Sequence, residues 1–292
     1  MPALVQDRCR PLQNRAGNRP LLMPSIPAQD IVRHAVAAFN SGRHQDAQKL
    51  CERGLARQPL EPTLNHLLAA MLFKQSQFSS ARERIAASLA ADPDRGSALL
   101  LAARIARAVG DFDSALSYLD RAIAIAPQRD AFLEKARTLD QAGHKPQARE
   151  AWQAILKAIP LHQEAAARLG RQAFEDGDHA LAASYLERAV GADAPASVWF
   201  DLGLVRQDLR DHAGAAAAYR KAIDIKPDFV EAVLNLGVAL QETGDLDHAM
   251  RAYAQAYRLH PSTFGRIAQA LTSASHGRLW LDEASLRRSL DG

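Results

Sequence analysis

Arginine is the residue whose placement in this chain could carry chemistry. Arg104, Arg137 and Arg171 recur at nearly even intervals through the middle of the sequence, with Arg107 and Arg168 beside them. A planar guanidinium fork matches a carboxylate bidentately, so a row of such forks could grip an acidic ligand. The same row could instead pair internally with Asp130, Glu134, Asp140 and Glu164, in a solvated lattice that contributes little stability. Residues for bond-making chemistry are harder to find. No P-loop, G-x-G-x-x-G, H-E-x-x-H or G-x-S-x-G occurs. Asp111-Phe112-Asp113 has the form of an Asp-x-Asp metal clamp, and the ten histidines include His44, His179 and His212. Cys9 and Cys51 form no C-x-x-C or Cys/His pairing, which indicates neither a zinc site nor a disulfide framework.

The elements that must position these side chains show best in residues 196–229. Trp199, Leu202 and Gly203 stand at the fourth, seventh and eighth places of that stretch. Ala215, Tyr219, Ala222 and Pro227 stand at the twentieth, twenty-fourth, twenty-seventh and thirty-second. Small residues at the eighth, twentieth and twenty-seventh places let helices approach closely, and large ones at the fourth, seventh and twenty-fourth fill the space between them. Proline at the thirty-second place lacks the N–H that would continue a helix. The stretch resembles a tetratricopeptide repeat, a helix–turn–helix unit of roughly 34 residues. Arg206 departs from the pattern, where the family usually has Tyr.

The same register recurs over 28–61, 62–95, 96–128, 129–162, 163–195 and 230–263. Seven repeats therefore cover 28–263. One hairpin cannot bury its apolar stripe alone, so such units must stack. The resemblance implies an all-α, right-handed superhelical solenoid of antiparallel helix hairpins. Gly42, Gly110, Gly143, Gly177 and Gly244 mark the turn inside five hairpins. Ser76 and Arg210 replace that glycine in the other two, where a somewhat different turn is expected. Residues 264–292 leave the pattern but keep apolar positions at Ile267, Leu271, Leu286 and Leu290, which suits a capping element over the last repeat. Trp280 in this segment could instead anchor a partner, since Trp is common among binding hot spots.

Composition narrows the function classes. The formal charge is +3. All of that excess lies in residues 1–27, where Arg8, Arg10, Arg15 and Arg19 face only Asp7. The remainder is balanced, which argues against nucleic-acid binding as its main business. Residues 1–27 are rich in proline, have no apolar period and read as a disordered basic tail, dispensable for folding; Met23 offers an alternative start. No apolar run suits a membrane span or a secretory signal, and the expected setting is the reducing cytoplasm.

Within the resemblance, Asp111 and Asp113 fall in the acidic turn between two helices, and the histidines become half-buried turn residues too far apart to share a metal. No catalytic residue, metal or cofactor is therefore expected. Family members line a concave groove with places two, five, nine and twelve of each first helix. Arg104, Arg137 and Arg171 all occupy place nine, and Phe39, Phe73 and Phe174 occupy place twelve. The expected groove is Arg104, Arg107, Arg137, Arg168, Arg171 and Asn235, with Phe174 and Phe200 for apolar contact. Reversing Arg137 and Arg171 should abolish binding and leave the fold intact. Asn235 matches one place of the family's two-carboxylate clamp, but the accompanying Lys is missing, so that function is not carried over. The expected function is a non-enzymatic scaffold or adaptor that binds a protein or peptide segment, with a preference for acidic residues. The alternative is a recruiting or regulatory subunit for a separately encoded enzyme such as a glycosyltransferase or methyltransferase. Oligomeric state is not readable from the sequence.

Overall fold

A computed structural model describes residues 28–273 and 283–291. The basic tail with Met23, and the stretch 274–282 with Trp280, lie outside the described residues. Among the described residues every regular element is helical, and no helix is long and apolar enough to cross a membrane. The first helices of the hairpins are α1 (Ala28–Asn40), α3 (Pro62–Lys74), α5 (Gly96–Ala108), α7 (Arg129–Gln141), α9 (Gln163–Glu175), α11 (Ala196–Asp208) and α13 (Val230–Glu242). Each starts at the first place of the register read from the sequence. Their antiparallel partners are α2 (His44–Leu55), α4 (Phe78–Ala91), α6 (Phe112–Ile125), α8 (Lys145–Ala158), α10 (His179–Ala189), α12 (His212–Ile225) and α14 (Leu246–Leu259).

The chain divides into two compact units, up to Pro93 and from Asp94 onward. The first stacks α1–α4. Its core includes Ala35, Ala47, Ala69 and Ala81, all without exposed surface, beside Cys51. Burial pushes the Cys51 thiol up to about 12, so it acts as a small hydrophobe. The second unit stacks α5–α14. Its largest fully buried side chains are Trp152, Tyr219 and Tyr253 at place twenty-four. These rings need a small residue opposite, at place eight. Tyr219 lies against Gly203 and Tyr253 against Gly237, and Leu186 lies against Gly170 in the same way.

The turn between the two helices of a hairpin is chemically specific. Gly42, Gly110, Gly143, Gly177 and Gly244 all have φ between +76° and +82°. Ser76 and Arg210 hold φ of 59° and 63°. The different turn expected at these two places is not found: they keep the left-handed conformation despite carrying a Cβ, which costs about 1–2 kcal/mol. Arg210→Gly is therefore expected to raise stability by about 0.5–1 kcal/mol, the relieved strain less the entropy of the freer unfolded chain. A higher urea midpoint at unchanged m-value would show it, and a lowered midpoint would count against the strain. After the turn, an aspartate caps the second helix in four of the seven hairpins. Asp111, Asp178, Asp211 and Asp245 accept the backbone N–H of Ser114, Leu181, Gly214 and His248 at 2.9–3.3 Å. Asp111 of the Asp-x-Asp sequence is thus a cap.

The second unit ends with a 3-10 turn (Pro261–Thr263), α15 (Phe264–Ser273) and α16 (Glu283–Asp291). Ile267, Leu271, Leu286 and Leu290 join the apolar cluster around Tyr253 and cover the last hairpin. Arg287 fastens α16 in place: its guanidinium lies 3.9 Å over the Phe264 ring and donates to the Tyr257 hydroxyl at 3.2 Å.

Candidate functional site

The arginines expected to line a ligand groove lie on consecutive first helices of the second unit, and all but Arg168 hydrogen-bond a carboxylate. Arg104 and Arg107 of α5 both reach Glu134 of α7, at 2.9 and 2.8 Å. Arg137 approaches the same carboxylate at 3.2 Å and clasps Glu164 of α9 bidentately, at 2.8 and 2.5 Å. Arg171 of α9 pairs with Asp201 of α11. The row is thus a lattice that ties α5, α7, α9 and α11 together. Of the acids the sequence offered, Glu134, Glu164 and Asp140 take part. Asp130 is exposed at the start of α7 and is not one of these acceptors among the described residues. Asp201 was not foreseen. Its signal was an acid at place six of the repeat after Arg171, the relation that also joins Glu134 to Arg104.

Burial divides the lattice. The Glu134 side chain is only 4% exposed, and three guanidinium groups surround it. Hydrogen bonds from Arg137 hold the Glu164 carboxyl below its usual range, and the same pair raises the arginine. Burial pushes Asp201 upward, and Arg171 only partly opposes this. Arg168 differs from the rest. Its Nε is 3.8 Å from Asp140 Oδ2, beyond hydrogen-bonding distance. Both oxygens of Asp140 already accept, from Trp152 Nε1 at 2.9 Å and Gln172 Nε2 at 3.2 Å.

The bond from Trp152 to Asp140 belongs to a pattern that the sequence reading missed. Tyr219 donates to Gln207 at 3.1 Å and Tyr253 to Gln241 at 2.7 Å. Wherever place twenty-four carries Trp or Tyr, place twelve is Asp or Gln. Where it carries Cys51, Ile85 or Leu186, place twelve is Phe39, Phe73 or Phe174. A buried ring with a polar tip needs an acceptor, and a purely apolar neighbour does not. Each of those phenylalanines is half-buried and packs on the first ring of the next helix: His44 at 5.4 Å, Phe78 at 5.8 Å and His179 at 5.4 Å. His179 and His212 are half-buried as expected, but His44 is exposed.

The remaining expected residues are placed as follows. Phe174 is half-buried. Phe200 lies between the rings of Tyr219 and Phe229, at 5.7 and 4.8 Å, so much of its surface is already used. Asn235 is half-buried on α13. Among the described residues no group of three His, Cys, Asp or Glu could hold a metal ion.

Comparison with known proteins agrees with this architecture. A family model described as tetratricopeptide repeat matches residues 68–130, 133–197 and 200–262. Tetratricopeptide repeat protein 8 of Caenorhabditis elegans is 26% identical over 217 residues, which cover 73% of this chain and 43% of that protein. The chain thus spans less than half the length of that relative. Among solved structures, PilW, described as a widely conserved type IV pilus biogenesis factor, aligns with a TM-score of 0.59 at 17% identity, covering 73% of this chain and 98% of PilW. The C-terminal part of a repeat-containing protein from Cytophaga hutchinsonii aligns with a TM-score of 0.56 at 16% identity, covering 70% of this chain and 82% of that one. Likeness at this level speaks to fold alone.

Proposed function

The chain belongs to the tetratricopeptide repeat family, and from that premise we propose that it is a non-enzymatic adaptor holding a segment of another protein on its first-helix face. One observation carries the reading: charged side chains form a continuous strip on that face from α5 to α11, with Arg168 and Arg171 still 43% and 45% exposed. Structural ion pairs alone do not require guanidinium groups left open to solvent beside cavities. A protein segment with acidic residues suits such a strip better than nucleic acid, because most of its positive charge is already matched by Glu134, Glu164 and Asp201. The two cysteines, without a pairing framework, suit the cytoplasm.

The test is position-resolved cross-linking. A photoreactive residue at exposed Ser97 or Ser197, on α5 and α11, is expected to capture the partner from native extract. The same residue at exposed Gln153 or Arg220, on α8 and α12, is expected to capture none. Adducts from Gln153 and Arg220 alone would move the binding surface to the second helices and overturn the proposal. Capture of an enzyme such as a glycosyltransferase or methyltransferase through Ser97 or Ser197 would make this chain its recruiting subunit.

A further inference from the structure

We infer that the partner is read at one step of the strip, Arg168–Arg171 of α9, by a carboxylate side chain with an aliphatic residue next to it in sequence. This rests on the adaptor reading above and specifies what it binds. Arg104, Arg107 and Arg137 are already engaged, because Glu134 sits among them as a built-in carboxylate with almost no exposed surface. A ligand acid there would have to displace a buried group whose hydrogen bonds are satisfied. Among the described residues Arg104, Arg107, Arg137 and Arg171 each have a carboxylate within hydrogen-bonding distance, and Arg168 does not. Asp140, its nearest acceptor, is committed to Trp152 and Gln172. The donors of Arg168 are therefore those with most to gain from an added carboxylate.

The surroundings say what accompanies that carboxylate. Arg168 and Arg171 are three residues apart on one helix face, and both line two cavities, one on either side of them. The cavity towards α11, about 280 Å³, is lined by Ala167, Ala189, Pro195 and Val198 together with the polar Gln163, Glu164 and Ser197. That is on the order of nine water volumes, room for a branched aliphatic side chain. The cavity towards the end of α7, about 210 Å³, is lined by Asp140, Gln141, Lys145, Gln172 and Glu175 besides the two arginines. An extended segment laid across this ridge would place its acid on the two guanidinium groups. Its neighbouring aliphatic side chain would lie in the Ala167–Val198 cavity, and polar residues would follow towards Lys145. Neither the acid nor the aliphatic residue alone satisfies both halves of the site.

The experiment probes the full chain with randomised short peptides on an array, then titrates a selected peptide. Selected sequences are expected to pair Asp or Glu with an adjacent Leu, Ile or Val. Arg168→Gln is expected to weaken the selected peptide by about tenfold or more, with an unchanged melting curve. Ala167→Phe, which fills the Ala167–Val198 cavity, should remove the aliphatic preference and keep the acidic one. Arg104→Gln should change affinity by less than about threefold, because Glu134 keeps Arg107 and Arg137. Absence of any selected peptide, selection without acids, or an Arg168→Gln affinity within about twofold of the parent would overturn the inference. So would equal affinity for a single-stranded oligonucleotide, which would mean recognition of phosphate. If Ser97 and Ser197 still cross-link a partner while Arg168→Gln binds normally, the adaptor function stands and this assignment falls.

Discussion

Gly237→Leu is expected to unfold the C-terminal end of the second unit. A Cβ at this position would lie 2.5 Å from Tyr253 Cε1 and 3.1 Å from its Cζ, closer than the first contact can remain. The ring cannot swing aside freely. Tyr253 is fully buried, its hydroxyl donates to Gln241 at 2.7 Å, and Gln241 donates to the Ala270 carbonyl of α15 at 3.0 Å. Moving the ring breaks a chain of bonds from α14 through α13 to the capping helix. Overpacking alone costs about 1–3 kcal/mol, and a severed buried hydrogen bond about 1 kcal/mol more. A total of about 3 kcal/mol or more is a large share of the stability available to one end of a repeat array. Because each hairpin contacts only its neighbours, the damage should stay local. Hydrogen exchange should accelerate in α13–α16 and stay slow in α5–α8, with Gly237→Ala showing a smaller effect of the same sign. Unchanged protection in α13 and α14 would refute the assigned contact.

Arg137→Glu is the second large effect, and here the structure reverses an expectation. Read as a groove residue, Arg137 should tolerate reversal without harm to the fold. Its position between buried Glu134 and half-buried Glu164 removes that freedom. The substitution would face two carboxylates with a third, and would remove the bidentate clasp between α7 and α9. Breaking a buried charge network in this way costs about 3–5 kcal/mol, and the lower end applies because the Arg137 side chain is one-third exposed. Arg137→Met, of similar length and uncharged, should cost distinctly less. The gap between parent and Arg137→Glu should also narrow with acid. The folded-state pKa of Glu164 is depressed in the parent, so its contribution is fully present above the ordinary carboxylate range and lost as pH falls through the folded pKa. In the variant, the crowded carboxylates are raised instead, and protonation relieves them. Denaturation midpoints at neutral pH and near pH 4 would check both statements. Equal stability of parent and variant at neutral pH would show that the lattice carries no structural weight. Binding assays on this variant would mix lost folding with lost contact, which is why Arg168→Gln is the better probe of the site.

Particular residues show how far the sequence reached. The register of all seven hairpins was legible because each marker acts locally. Pro227 stops a helix through its own ring, Gly244 permits a left-handed turn through its own missing Cβ, and Asp245 caps the next helix three residues on. The rule joining Asp140 to Trp152, and Gln241 to Tyr253, was also present in the sequence. It becomes visible only once places twelve and twenty-four are known to touch across a hairpin.

The state of the arginines was decided elsewhere. The sequence by itself determined the helical hairpins, their turns and the placing of Arg104, Arg137 and Arg171 at one position of successive first helices, because helical periodicity and turn chemistry are short-range. Only the tertiary structure decided that Glu134 is buried among three guanidinium groups, that Asp201 rather than Asp130 completes the row, and that Arg168 has no hydrogen-bonded acid among the described residues. Those outcomes depend on the distances between helices about thirty residues apart in sequence, set by how closely the small residues at place eight let neighbouring helices approach. Electrostatic pairing changes over fractions of an ångström and with local burial, and neither quantity is written in the spacing of residues along the chain.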